Sequence, residues 1–475
     1  MTENAVPFFG REKELQALRE LQRKKNASLV VIKGRRRIGK SRLAREFGKF
    51  FEKCLVFTGL PPTRGVGSEK QRKEFIRKME EYRIPRLPGN EWGDLFRDVA
   101  RSCQNGQVLV VLDEISWMGA KDATFLGQLK TAWDEHFTNN PQLIMILSGS
   151  QSTWIEDNIL SSTGFVGRIS HRLTLRELPL DVCNLFWRHQ EHISPYEKFK
   201  VLAVTGGVPR YLEEIQPHKS AEENIKQLCF ETSGLLFNEF DQIFSDLFAR
   251  KSATYKKIVR LLAKKESTLE EIAAHLGRTK GGDLSSYMED LSETGFVTRD
   301  HLWHIKESHE SKISRYRLSD NYLRFYLRYI ESNRHRIEEG LITGLPVSWL
   351  SIMELQFENL ILNNRQKIRE LLQIPPEEII YDNTYFQTKT RERNGCQIDY
   401  LVQTKYGALY VGEVNFTQGL VDTSVIDEVK EKIASLDRPK WSSCRPVLIH
   451  VNGVTDSVRE SEFFAHIIDF SQFLE

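Results

Sequence analysis

Residues 28 to 41 constrain this chain more than any other stretch. SLVVIKG, residues 28 to 34, has the length and apolar character of a short buried strand. It leads directly into GRRRIGKS, Gly34 to Ser41, and a helix is expected from Gly39 to Phe51. Glycine, four variable residues and then Gly-Lys-Ser, set between a strand and a helix, is a pattern with a mechanism. The loop lets successive backbone N–H groups point inward at phosphate oxygens, and the N-terminus of the next helix favours negative charge. Lys40 can reach the β- and γ-phosphates, and Ser41 can offer its hydroxyl to Mg²⁺. Chance supplies such a match in roughly one chain of fifty this long, and the flanking strand and helix lower that further. The expected nucleotide-binding segment is therefore Gly34, Arg35, Arg36, Arg37, Ile38, Gly39, Lys40 and Ser41, with Arg42 behind it. At least two of the three consecutive arginines are expected to be solvated.

A second element fits the first. VLVVLDE places Asp113 and Glu114 at the end of an apolar run, about seventy residues after the loop. Asp113 is expected to hold Mg²⁺ and Glu114 to orient the attacking water, because in phosphoryl transfer the protein mainly positions groups and stabilises charge. The next run ends in LSGSQ, so Ser148 or Ser150 could contact the γ-phosphate or the water, or simply be a polar strand end. Arg168, in VGRIS, is a candidate arginine finger acting in cis or from a neighbouring subunit; an ordinary surface arginine is the plain alternative. Lys40, Asp113, Glu114 and Arg168 are the catalytic candidates.

Strand-like runs at 54–59, 108–113, 143–149 and 169–175 alternate with helical stretches, including 92–103 and 124–136. That alternation means an α/β fold with a parallel sheet covered on both faces. The expected organisation is a P-loop NTPase domain over 1–180, a helical lid over 181–250, a winged helix-turn-helix over 251–320, a helical connector over 321–348 and a C-terminal α/β domain over 349–475. The winged helix is read from three short amphipathic helices, closed by Gly277 and Gly295, followed by two strands. Its third helix, DLSSYMEDLSE, carries four acids and no base. Phosphate contacts supply most DNA affinity, so packing or protein contact is favoured there over DNA, although Arg278, Lys280, Arg299, Lys306, Lys312, Arg315 and Arg317 flank it. The formal net charge of +2 does not demand a nucleic-acid partner. Six cysteines, none within four residues of another, offer no zinc knuckle or redox pair and suit reduced thiols in the cytoplasm. The N-terminus carries charges where a signal peptide needs an apolar run, so none is expected there, and no apolar run is long enough to span a bilayer.

FFGREKEL, GRRRIGKS, VLVVLDEISWM, LSGSQSTW, GFVGR and TGGVPRYL, in that order, resemble the archaeal-type ATPases of the STAND class, relatives of the AAA+ group. The winged helix and YRLSDNYLRFYLRYI extend the resemblance. The C-terminal part is similar to a domain of unknown function related to the PD-(D/E)XK nuclease fold. The resemblance implies an ATP- and Mg²⁺-dependent, signal-responsive switch. It also places Gly10 and Arg11 near the base and Pro209 near the phosphates.

A PD-(D/E)XK site needs carboxylates converging on a metal, with a lysine near the attacking water. Glu358 on the preceding helix, with Asp399 and Glu413 on successive strands, form a candidate second metal site. The lysine position two residues after Glu413 is Asn415, on the same face by strand alternation. Asparagine carries no charge, so this domain is expected to be degenerate unless Lys430 or Lys432 on the following helix takes over. Two functions compete. One is an ATP-hydrolysing switch with a protein partner or a homo-oligomeric state. The other is an ATP-regulated, metal-dependent DNA nuclease or DNA-binding regulator. Asn415 and the acidic third helix both favour the switch.

Overall fold

The computed structural model describes residues 7–61, 63, 65–119, 121–187, 192–248, 251–279, 281–390 and 394–475. Lys280 and the first six residues, used in the sequence reading, lie outside them. The chain divides into two units: Met1–Glu177 with Gln242–Ser252 and Glu289–Gly295, and Leu178–Asp241 with Ala253–Met288 and Phe296–Glu475.

The first unit is built on five parallel strands: β1 Ser28–Lys33, β2 Lys53–Thr58, β3 Val108–Asp113, β4 Leu143–Gly149 and β5 Ile169–Thr174. Their order across the sheet is β2-β3-β4-β1-β5. β1, β3 and β4 are continuous apolar runs because both their faces are covered. Alternation divides their side chains. Leu29, Val31, Val108, Val110 and Leu112 join an aromatic layer of Phe75, Trp92, Phe96 and Phe125. Val30, Ile32, Leu109, Val111, Ile144 and Ile146 pack with Leu43, Phe47 and Leu18 on the other face. The helix Ser68–Glu81 was not anticipated. It buries little more than Gln71, Phe75 and Met79 in an otherwise charged sequence, too thin a stripe to declare a period. The placement of β4 between β3 and β1 brings three carboxyl ends side by side, the crevice where open α/β sheets bind ligands.

The second unit takes in the helices Ser252–Leu262 (from Ala253), Leu269–His275 and Gly282–Glu293 (as far as Met288), with an antiparallel sheet of β6 Ser267–Thr268, just before the middle helix, β7 Val297–His304 and β8 His309–Leu318, in the order β6-β8-β7. The middle helix is opened by a reciprocal cap between Thr268 and Glu271. The ribbon does not stand free. Trp303 of β7 is buried, stacks on Tyr381 with ring centroids 5.2 Å apart, and donates its indole N–H to Gln403 Oε1 at 2.8 Å. Arg317 of β8 pairs with Asp300 at 3.0 Å and donates to Asn359. At the start of the expected helical connector, Tyr322, Leu323, Phe325 and Tyr326 are buried.

The C-terminal part carries a mixed sheet of β9 Ile379–Gln387, β10 Cys396–Thr404, β11 Ala408–Val414, β12 Ser443–His450 and β13 His466–Asp469, in the order β13-β12-β11-β10-β9. β9 to β11 run antiparallel, and β11 to β13 run parallel. The helices Met353–Asn363 and Arg365–Leu371 precede the sheet, and Ser424–Ser435 connects β11 to β12. All six cysteines are free thiols. Among the described residues, no helix is long and apolar enough to cross a membrane.

Candidate functional site

β1 delivers the chain into Gly34, whose φ is 150°. A Cβ there would stand 2.5 Å from the Leu175 carbonyl oxygen, so the loop can leave the strand only through glycine. Gly39, at φ 94°, makes the left-handed turn into the helix Lys40–Gly48. No side chain caps that helix, so its first N–H groups keep their capacity for an anion. Lys40 is buried, and its Nζ donates to the Gly34 and Arg35 carbonyl oxygens at 2.9 and 3.0 Å. Burial lowers its pKa, while Glu114 and Asp113 hold it up.

The carboxyl ends of β3 and β4 complete the site. Asp113 accepts two short hydrogen bonds, from Ser41 Oγ to Oδ2 and from Ser148 Oγ to Oδ1, both at 2.6 Å. Ser148 thus serves the carboxylate. Glu114, at φ 51°, accepts from the Ser150 N–H at 3.0 Å and from its hydroxyl at 2.8 Å. Positive φ in a non-glycine residue is strained and clusters at functional sites. Ser41 and Asp113 present hard oxygen donors side by side, which fits Mg²⁺, and the Lys40 loop fits a polyphosphate.

Other expected residues fall in different places. Arg35 is buried and pairs with Glu177 at 3.2 Å, while Arg36 and Arg37 are half-buried, Arg37 donating to Gln242 at 3.2 Å. Of the three loop arginines only Arg35 is covered outright, while Arg36 and Arg37 keep part of their surface in solvent. Arg11 donates to the Ile38 carbonyl oxygen at 3.3 Å and to that of Arg176, bracing the loop from behind; Gly10 beside it is buried. The Arg42 guanidinium lies 6.0 Å from the Phe8 ring centroid. Arg168 makes a two-point pair with Asp134, at 2.7 and 2.9 Å. A finger in cis would first have to break that pair. Pro209 belongs to the second unit, where it opens the helix Pro209–Leu212.

The second unit holds a carboxylate pocket. Asp399 sits at an irregularity in β10 between Ile398 and Leu401, and its Oδ2 accepts from the Val414 N–H at 3.0 Å. Glu413 lies on the adjacent β11, and Lys432 reaches across from the helix Ser424–Ser435. Lys432 Nζ bonds Glu413 Oε2 and lies 3.9 Å from Asp399 Oδ1. Burial, and then Asp399, push Glu358 up to about 8 and Glu413 up to about 7. The lysine beside these carboxylates comes from the helix rather than from the strand position of Asn415. Asn415 donates its backbone N–H to the Ile449 carbonyl oxygen, and its own Oδ1 is buried without a partner among the described residues. Lys430, the other fallback, pairs with Asp427 at 3.4 Å. Of the expected metal site of Glu358, Asp399 and Glu413, the last two face Lys432, and among the described residues no three Asp, Glu, His or Cys side chains stand as a metal-holding group. A cation already occupies the carboxylates, in the form of Lys432.

Residues 8–215 match the family of ATPase domains found predominantly in Archaea. The chain is 29% identical over 349 residues to the uncharacterized protein MJECL04 of Methanocaldococcus jannaschii, spanning 70% of this chain and 71% of that protein. Two solved structures are similar in part. The Walker-type ATPase Paby2304 of Pyrococcus abyssi is 20% identical with a TM-score of 0.49, over 68% of this chain and 96% of that one. The ORC2 protein of Aeropyrum pernix is 15% identical with a TM-score of 0.43, over 72% of this chain and 97% of that one. With the loop geometry above, the family match makes residues 8–215 an archaeal-type ATPase domain of the P-loop class.

Proposed function

We propose that this chain binds and hydrolyses ATP with Mg²⁺ and works as a nucleotide-governed switch of the STAND type. In this reading the three helices and ribbon over 252–318 are a winged helix, and the mixed sheet is a PD-(D/E)XK-like domain. The observation that carries it is the Ser41–Asp113–Ser148 chain of short hydrogen bonds beside the buried Lys40. Lys40 and the loop amides would hold the phosphates, and Ser41 with Asp113 would hold Mg²⁺, which supplies charge neutralisation when bound. Glu114, now turned onto Ser150, would orient the attacking water once released. The test is Glu114→Gln. It is expected to bind ATP like the native chain but release phosphate about 10²- to 10⁴-fold more slowly. Normal turnover would assign the water to another residue.

The position of Lys432 favours a second reading for the other unit, metal-dependent cleavage of a phosphodiester. Asp399 and Glu413 would gather the metal as Lys432 moves off them and becomes the cation near the attacking water. Incubation of DNA with Mg²⁺ or Mn²⁺, with and without ATP, tests it. Cleavage lost in Asp399→Ala would support it, and intact DNA throughout would leave the pocket as a closed ion-pair scaffold.

A further inference from the structure

The helix Ser424–Ser435 has two working faces. Lys432 turns toward Glu413, while Lys430 and Ile433 line a separate cleft of about 520 Å³ that includes neither Asp399 nor Glu413. Its floor is apolar, from Ile433, Leu436 and Pro439, and its rim is cationic, from Lys430, Arg438 and Lys440. Phe463 closes one side, with Lys430 Nζ 5.6 Å from its ring centroid. The next residue after Lys440, Trp441, is 71% exposed, and Tyr406 is 77% exposed. Trp441 lies over Gly407, where any side chain would strike its ring, so the indole is held flat at the β10–β11 turn rather than waving in solvent. Arg438 is fixed by its bond to the Ser442 carbonyl oxygen at 2.8 Å. Among the described residues, the acid paired with a rim cation is Asp427, on Lys430; its side chain is 83% exposed, so that pair is water-screened and easily exchanged.

Three cations around an apolar trough, followed by two exposed aromatic faces, are the ingredients of a surface for a flexible polyanion that carries flat rings. We propose that this cleft, with Trp441 and Tyr406, binds single-stranded nucleic acid. Lys430, Arg438 and Lys440 track the phosphates, and the rings stack unpaired bases. A duplex keeps its base faces covered and could use only the cations. An acidic peptide would have no use for two exposed rings. The proposal shares a nucleic-acid ligand with the second reading above but not its chemistry, so binding is measured in EDTA, where no metal-dependent cleavage can proceed.

The experiment is fluorescence anisotropy of the full chain with labelled oligothymidylate, oligouridylate and a mixed-sequence duplex, over a salt series. Binding of the single strands is expected to weaken with salt, with a slope of about 0.7 per phosphate contacted. Arg438→Glu with Lys440→Glu should weaken it at least tenfold and flatten that slope. Trp441→Ala, a truncation at an exposed position, should weaken it by roughly five- to a hundredfold with the slope kept, since it removes stacking and no charge. Thermal unfolding of each variant confirms that the fold is kept. Flat anisotropy with either single strand, tighter binding to the duplex, or equal affinity in the folded variants would overturn the proposal. Binding without cleavage would sink only the second reading, and cleavage with variant-insensitive binding would sink only this one.

Discussion

Both units of this molecule hold a lysine among carboxylates, and they hold it in opposite ways. In the first unit Lys40 is fixed by two neutral carbonyl oxygens of its own loop, and Asp113 and Glu114 are occupied by Ser41, Ser148 and Ser150. The cation and the anions are thus kept apart, each on a neutral partner that a charged ligand can replace. In the second unit Lys432 lies directly on Glu413 and close to Asp399. A ligand entering there must compete with an ion pair already formed. The contrast teaches that the two sites differ in readiness: the loop is preorganised for a polyphosphate, while the carboxylate pocket is closed by its own cation.

The largest way to break this comparison acts on the second site. If the pocket cleaves a phosphodiester, Lys432→Ala should lower metal-dependent cleavage by about 10²- to 10³-fold, the common cost of losing one preorganised charged contact. Gel-based cleavage rates check it. An unchanged rate would mean that Lys432 only plugs the carboxylates, and the pocket would then be the looser of the two sites.

The next effect is on stability. Trp303→Ala should destabilise the second unit by about 3–5 kcal/mol, because Trp303 fills a core with Tyr385, Ile398 and Leu401 and satisfies Gln403. Urea unfolding measures it. A loss below about 1 kcal/mol, the size of an ordinary surface change, would show that the ribbon is merely resting on the sheet.

How far each site could be read from sequence follows from the same contrast. Gly34 to Ser41 form one contiguous segment whose spacing is set by the ligand, so the loop and its flanking elements were legible together. Asp113 and Glu114 were legible because an apolar strand of fixed length delivers them. The carboxylate pocket draws on β10, β11 and a helix, and the lysine was sought by strand alternation at Asn415. Strand periodicity says nothing about a side chain reaching back from a helix, although the helix itself and Lys432 on it were in view. The partners of Arg168 and Arg35 were not legible for a related reason: Asp134 and Glu177 are distant or unmarked in sequence. The helix Ser68–Glu81 hid behind its charges.

The smallest expected effect concerns pH. Glu266, in the second unit, is half-buried with one carboxyl oxygen unpartnered among the described residues, and loss of solvent around it raises its pKa above the ordinary glutamate range. A raised folded pKa means that the folded state holds the proton more tightly. That contribution to stability is present below the ordinary range and is lost as pH rises through the folded value. Thermal unfolding of the native chain should therefore fall in midpoint as pH rises above the ordinary glutamate range, and Glu266→Gln should flatten that fall. A fall equally steep in the variant would place the titrating proton elsewhere.

The central claim, that the first unit is a working nucleotide site, is tested most directly by Lys40→Ala. ATP binding by calorimetry and phosphate release would be measured on the same preparation, with thermal unfolding as the control for fold. The geometry predicts a folded protein that has lost ATP binding, hydrolysis or both, because Lys40 bonds to its own loop among the described residues and carries the charge that meets the phosphates. Native-like affinity and turnover in a folded Lys40→Ala protein would contradict it.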